Sequence, residues 1–262
     1  MIIDSHCHLN ILPEDKVGTV DAVLEKAREL GVEKVLCVAI NPAQWEDVLR
    51  LADQYESVYA AIGIHPCEER NVVVTDEALI KAASHPKVIA IGEVGLDYFH
   101  FEEDAAIEGG MDWQHERFKQ HIRIAKQLDK PLIIHTRNST PDCLTILETE
   151  GAAKVGGIMH CFVEDMQTAN RAMEIGFYIS FSGIVTFKNA KDLKTVATDI
   201  PLDRVLVETD SPYLAPMPFR GKTNQPGYTR YVVEEIAKLK GVSFEAVAEA
   251  TTHNFNRLFK LD

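Results

Sequence analysis

Six residues in this chain have the types and spacing of a divalent-metal site. His6 and His8 fall in the opening Asp4–Ser5–His6–Cys7–His8. Residues two apart on an extended backbone point the same way, so both imidazoles can aim at one point while Cys7 faces elsewhere. Neutral imidazole is a common metal ligand. Glu93 stands between glycines in Gly92–Glu93–Val94–Gly95, and the two oxygens of a carboxylate can bridge two cations. His135 and His160 each terminate an apolar run, residues 131–134 and 155–159. Asp210 follows a third such run, with Glu208 two positions before it. An acidic pair there is costly unless it is paired or bound to a cation. Each residue alone has an ordinary reading, as a loop histidine, a hydrogen-bonded core histidine, a solvated carboxylate or an ion pair. Their recurrence at equivalent strand ends favours one metal site of His6, His8, Glu93, His135, His160 and Asp210. Nitrogen and oxygen ligands without thiolate suit zinc, manganese or magnesium.

Residues spread over more than 200 positions need a scaffold that gathers strand ends. Short β-branched runs at 1–3, 34–40, 58–62, 88–91, 131–134, 155–159, 177–180 and 205–207 alternate with amphipathic, helix-like stretches. Alternation of this kind implies a parallel sheet. Eight strands at this length predict a single-domain α/β fold, a (β/α)8 TIM barrel over residues 1–262. The polar clusters agree, because His6, His8, Asn41, His65, Glu93, His135, His160, Ser182 and Asp210 all follow strand ends. A barrel brings these positions to one mouth, whereas an open doubly wound sheet would use fewer strands around its crevice. No GxGxxG or Walker-type loop is present, which argues against a nucleotide cofactor.

The chain has 262 residues, 46% hydrophobic and 26% charged, and a formal net charge of −13. That charge argues against sequence-independent nucleic-acid binding through a broad basic face. A local anion site remains open, because bound cations can reverse the nearby field. Five cysteines with no CxxC pair predict neither a disulfide framework nor a cysteine-ligated zinc site. No basic, apolar leader and no 18-residue apolar run occurs, so the expectation is a cytoplasmic protein with no membrane span.

The ordered motifs resemble the TatD family of metal-dependent deoxyribonucleases, within the amidohydrolase-like barrel superfamily. The resemblance spans essentially the whole chain. It is carried by Asp4–Ser–His–Cys–His8, Gly63–Ile–His–Pro66, Gly92–Glu–Val–Gly–Leu–Asp97, His135–Thr–Arg137, His160–Cys–Phe162, Tyr178–Ile–Ser–Phe–Ser–Gly–Ile184, Glu208–Thr–Asp–Ser–Pro–Tyr213 and Arg220–Gly–Lys–Thr–Asn224. It implies a TIM barrel and 3′–5′ exonucleolytic hydrolysis of DNA phosphodiesters. It also implies two divalent cations: His6, His8 and Asp210 on one, His135 and His160 on the other, and Glu93 bridging both. The segment 99–112 is acidic and longer than the family pattern, and is expected to overhang the mouth.

Two dications against Glu93 and Asp210 leave an inner shell of about +2, which suits a phosphodiester. Such a pair would polarise a phosphoryl oxygen and lower the pKa of a bound water. Asp210 is the expected proton acceptor, and His65 the expected contact to phosphate or leaving group. Arg137, Arg220 and Lys222 are expected to bind phosphate, with Asn224 as a neutral donor. The partner implied is DNA or another phosphodiester, with no obligate protein partner. Two rivals keep the same metal site: an amidohydrolase acting on a small amide, lactone or phosphoester, and a metal-stabilised barrel that only binds.

Overall fold

Eight apolar segments form strands β1 (Ile2–Cys7), β2 (Val32–Val38), β3 (Val58–Ile62), β4 (Val88–Asp97), β5 (Leu132–Arg137), β6 (Gly157–Met159), β7 (Phe177–Phe181) and β8 (Val205–Val207) in a computed structural model that describes residues 1–261. Helices α1 (Glu14–Val17), α2 (Val20–Glu29), α3 (Trp45–Gln54), α4 (Asp76–Ala83), α5 (Glu102–Ala105) and α6 (Asp112–Leu128) accompany the first half. Helices α7 (Thr140–Thr149), α8 (Met166–Glu174), α9 (Lys191–Asp199), α10 (Thr229–Lys240) and α11 (Phe244–Phe259) accompany the second. Several helices begin at side-chain caps. Thr19, Thr75, Asp165 and Ser243 each accept the backbone N–H three residues on, satisfying a donor the first turn leaves free.

The strands pair in parallel in simple sequence order, β1 to β8. A bridge between Cys7 and Ser211 joins the last strand end to the first. Backbone bonds from Asp210 N to His6 O (2.9 Å) and from His8 N to Ser211 O (2.8 Å) continue that seam. The result is the (β/α)8 barrel predicted from the alternation.

Side-chain alternation splits the core in two. Ile3, Leu36, Val38, Ala61, Ala90, Ile133, Ile158, Tyr178 and Leu206 fill the barrel interior, and Phe255 and Phe259 of α11 plug its foot. The intervening strand residues, such as Val35, Ile62, Leu132 and Ile179, pack outward against the helices. Above the interior apolar layer the same alternation gives His135 over Ile133, His160 over Ile158 and Glu208 over Leu206.

Two strands break this parity. Ile3 and Ser5 face inward, Ser5 Oγ lying 3.0 Å from Ser180 Oγ. An irregularity between Asp4 and Cys7 then turns His6 and His8 inward and returns Cys7 to the outer core. A second irregularity between Ile91 and Val94 does the same for Glu93. There the backbones crowd: Gly95 has φ 147°, and a Cβ on it would lie 2.0 Å from the carbonyl oxygen of His135. Only glycine permits that approach.

Several strand bounds differ from the pattern reading: β1, expected at 1–3, runs on to Cys7, and β2, expected at 34–40, spans Val32–Val38. β4 runs on to Asp97 and β5 to Arg137, because the two strands stay paired through Asp97 and Arg137. β6 begins only at Gly157, since Ala152–Lys154 forms a 3-10 turn. Among the described residues no helix is long and apolar enough to cross a membrane.

Candidate metal centre

The C-terminal mouth of the barrel opens on a cavity of about 730 Å³. Its wall includes His65, Glu93, His135, Arg137, His160 and Asp210. His6 and His8 lie at its floor, buried against Glu93 and Asp210.

On one side of Glu93 four acceptor atoms converge. His6 Nε2 lies 3.3 Å from Glu93 Oε2, 3.4 Å from His8 Nε2 and 3.8 Å from Asp210 Oδ1. His8 Nε2 lies 3.4 Å from Asp210 Oδ1 and 3.8 Å from Glu93 Oε2. Metal bonds of about 2.0–2.2 Å in a tetrahedral shell put ligand atoms roughly 3.3–3.6 Å apart, so these spacings fit a small divalent cation.

On the other side, Glu93 Oε1 lies 3.0 Å from His135 Nδ1 and 3.1 Å from His160 Nε2. The two oxygens of one carboxylate therefore face two separate nitrogen sets.

Tautomers follow from the outer nitrogens. His8 Nδ1–H donates to Val38 O at 2.8 Å. His160 Nδ1–H donates to Glu208 Oε1 at 2.9 Å, and His135 Nε2–H to Asp97 Oδ2 at 3.0 Å. Each bond leaves the inner nitrogen with a lone pair aimed at Glu93 or Asp210. This is how metal-binding histidines are commonly oriented. His6 Nδ1 has no partner, and the His6 ring stacks on His160 at 3.8 Å.

The electrostatics show a site that attracts positive charge. Burial alone would raise the Glu93 carboxyl, but His160, His65 and His6 hold it well below the ordinary carboxylate range. Burial opposes charge on His8, His135 and His160, yet their carboxylate partners raise all three, His160 most.

His65 is different. Its Nδ1 accepts the backbone N–H of Cys67 at 3.0 Å. The neutral ring must then carry its proton on Nε2, 3.3 Å from Glu93 Oε1 and 3.2 Å from His135 Nδ1. Its inner face is a donor where His6, His8, His135 and His160 present, or can present, a lone pair.

The remaining expectations divide. Arg137 reaches the cavity wall, its guanidinium 3.9 Å over the Phe99 ring. Arg220 and Lys222 are exposed on the loop after β8 and do not line the cavity; Arg220 lies over Phe187. Asn224 is corrected: it is fully buried, and its Nδ2 donates to Thr209 O (2.9 Å) and Tyr213 O (2.6 Å). With its amide hydrogens committed it braces the loop and has none to offer a phosphate. From the segment 99–112 only His100 lines the cavity. Glu102, Glu103 and Glu108 are exposed beyond it.

Three carboxylates had no place in the predicted ligand set. Asp97 and Glu208 orient His135 and His160 from behind. Asp4, pushed up to about 8 by burial, accepts from Thr209 N and Thr209 Oγ1 and stitches β1 to the chain after β8. Glu208 was signalled by its alternation with Asp210; Asp97 had no signal once the strand was ended at Ile91.

A parallel eight-stranded barrel with histidines and carboxylates facing one another at its C-terminal mouth defines a metal-dependent hydrolase. A family model described as "TatD related DNase" matches residues 3–260. The chain belongs to the TatD family. It is 44% identical over 263 residues to the metal-dependent hydrolase YabD of Bacillus subtilis, covering 100% of both chains. Against YcfH of Escherichia coli K12 it is 44% identical over 262 residues, covering 100% of this chain and 96% of YcfH. The crystal structure of YjjV, a TatD homologue from Escherichia coli K12, superposes with a TM-score of 0.89 at 29% identity, covering 100% of this chain and 98% of that one.

Proposed function

We propose that the protein hydrolyses DNA phosphodiester bonds, acting as a 3′–5′ exonuclease with a pair of divalent cations held on either side of Glu93. One observation carries this reading: in an open cavity, His6, His8, Asp210 and one Glu93 oxygen lie at the spacing of a metal shell, while His135 and His160 face the other Glu93 oxygen at 3.0 and 3.1 Å. The family's deoxyribonuclease description supports DNA as the substrate. Two cations held by His6, His8, Glu93, His135, His160 and Asp210 would supply Lewis-acid polarisation of a phosphoryl oxygen and would acidify a water.

The chain's own residues then have distinct tasks. The Asp210 carboxylate accepts the proton of the attacking water, on the oxygen not turned toward His6 and His8, as the water oxygen bonds to phosphorus. The His65 Nε2–H donates to a phosphate or leaving-group oxygen as the P–O bond breaks. Arg137 grips a non-bridging oxygen pair through parallel N–H donors, its plane fixed by Phe99. Magnesium, manganese and zinc all suit the nitrogen and oxygen donors.

The carboxylates behind the ligand histidines change the charge balance of the centre. Asp97 and Glu208 add two formal negative charges directly behind His135 and His160. Two dications then meet about −4, leaving a centre near neutral. Attraction of the anionic substrate therefore rests on open coordination positions and Arg137 more than on a net positive field.

The test is incubation of purified protein with end-labelled single- and double-stranded DNA, with magnesium, manganese or chelator, beside a panel of small amides, lactones and phosphoesters. Metal-dependent shortening from the 3′ end is expected. Intact DNA alongside turnover of an amide or lactone would establish the amidohydrolase rival. No turnover of any substrate by metal-loaded protein would leave the binding-barrel rival.

A further inference from the structure

Beside the centre lies a second group of ligand atoms, of which Cys67 and His100 have no part in the reaction above and Asp97 Oδ2 also accepts from His135 Nε2. Cys67 Sγ is 3.3 Å from Asp97 Oδ2 and 3.4 Å from His100 Nδ1. His100 Nδ1 is 2.9 Å from the same Asp97 oxygen. We propose that Cys67, Asp97 and His100 form a third cation site, selective for a thiophilic divalent ion of the zinc class.

The donor set sets the selectivity. One sulfur, one imidazole nitrogen and one carboxylate oxygen suit zinc, whereas magnesium takes oxygen ligands. A zinc ion with bonds of about 2.3 Å to sulfur and 2.0–2.1 Å to nitrogen puts those two atoms roughly 3.5 Å apart. The sulfur edges match this closely. The nitrogen–oxygen edge, now closed by a hydrogen bond, has to widen by roughly 0.4 Å. Cys67 and His100 both line the cavity, so the fourth coordination position opens to solvent or substrate.

The group is held by a framework that needs no metal. Gln114 of α6 is fully buried. Its Oε1 accepts Asp97 N–H at 2.9 Å, and its Nε2 donates to Pro66 O at 3.0 Å. One side chain thus clamps the segment carrying Cys67 to the strand end carrying Asp97. Arg117, one turn further along α6, donates to the carbonyls of His65, Glu68, Glu69 and Val72 and fixes the rest of that loop. His100 is tied back by its own N–H to Asp97 Oδ1 at 2.9 Å. Preorganisation of this kind lowers the cost of binding.

Binding forms sulfur, nitrogen and oxygen bonds to the ion and releases the thiol proton to solvent. The His100 proton now shared with Asp97 moves to Nε2 of this half-exposed ring. Cys67 and His100 have no part in the DNA-hydrolysis reading; Asp97 is shared, since its Oδ2 also accepts His135 Nε2–H, so the test is made at Cys67 and His100 alone.

Cobalt(II) titration of metal-free protein reads this site separately, since no ligand proposed for the central pair carries sulfur. Wild type is expected to develop a thiolate-to-cobalt charge-transfer band in the near ultraviolet. Cys67→Ser should lose that band while keeping the ligand-field bands of the histidine sites. After loading with zinc and gel filtration, wild type should carry one zinc more per chain than Cys67→Ser and than His100→Ala. No thiolate band in wild type, a band that persists in Cys67→Ser, or equal zinc counts in wild type and Cys67→Ser would overturn the proposal.

Discussion

The carboxylate of Glu208 accepts a hydrogen bond from His160 Nδ1 at 2.9 Å, deep in the barrel, and so fixes which nitrogen of His160 faces Glu93. The same oxygen also accepts the backbone N–H of Cys161 at 2.8 Å. Carboxylates in this relation to a ligand histidine commonly carry about 10–100-fold in metal affinity. Glu208→Ala should therefore weaken divalent-metal binding by about that factor, measured by competition with a chromophoric chelator. Glu208→Gln, which retains an acceptor oxygen, should lose less. Unchanged affinity in the alanine variant would remove the orienting role.

Asp210→Asn isolates the charge of the proposed proton acceptor. Asp210 has φ 57°, and asparagine tolerates the left-handed region as well as aspartate does, so the backbone is not the variable. Turnover of DNA should fall by about 10²–10⁴-fold at saturating metal. Near-normal turnover with metal fully bound would assign the proton to another group.

His65→Ala should reduce turnover by roughly 10²-fold, the scale of losing one well-placed donor, while metal content stays at the wild-type level. The separation matters because His65 Nδ1 is already occupied by Cys67 N–H. If metal is lost in step with activity, His65 is a ligand and the donor assignment fails.

Metal-free protein should be destabilised towards both acid and alkali. His160, His8 and His135 are raised by neighbouring carboxylates against the opposing effect of burial. Their contribution is fully present below the ordinary histidine value of 6.5 and is lost as pH rises through the raised values. Glu93, held well below 4.5, contributes above that value and loses its contribution as pH falls through its lowered one. His6 and His65, lowered chiefly by burial, lose stability as pH falls below 6.5. Melting temperatures of chelated and metal-loaded protein across pH check this. Added metal should rescue the alkaline side most, because cations there replace the departing protons. Parallel curves with and without metal would contradict it.

Gly95→Ala probes the crowding of β4 and β5 behind Glu93. A Cβ at 2.0 Å from the His135 carbonyl oxygen must displace backbone, and overpacking costs about 1–3 kcal/mol even where side chains can give way. The variant should lose at least about 3 kcal/mol in denaturant unfolding, given that backbone is the obstacle. Wild-type stability would mean the strands separate more easily than their pairing suggests.

Legibility in the sequence depended on local regularity. His135, His160 and Asp210 could be placed because their strands keep strict alternation above Ile133, Ile158 and Leu206. His6 and His8 were assigned to one face from their own spacing, although counting up from Ile3 would have sent them outward. The irregularity that turns them in, and its counterpart before Glu93, are set by neighbouring strands and leave no mark in the local pattern. Asp97 was missed for that reason, since β4 continues as a paired strand through Glu93, where the glycines read as a loop. Asn224 failed in the opposite sense: a polar residue in a basic loop resembles a ligand contact, and only its burial shows it bracing carbonyls.

The seam between β1 and the chain after β8 carries a consequence for synthesis. His6 and Asp210 are joined by a backbone bond there and face the same prospective ion. On a ribosome the histidines emerge long before the aspartate, so a nascent chain holds only part of the shell. The centre matures when the closing strand docks, and a truncated polypeptide ending before Asp210 should retain little grip on the cation that His6 and His8 await.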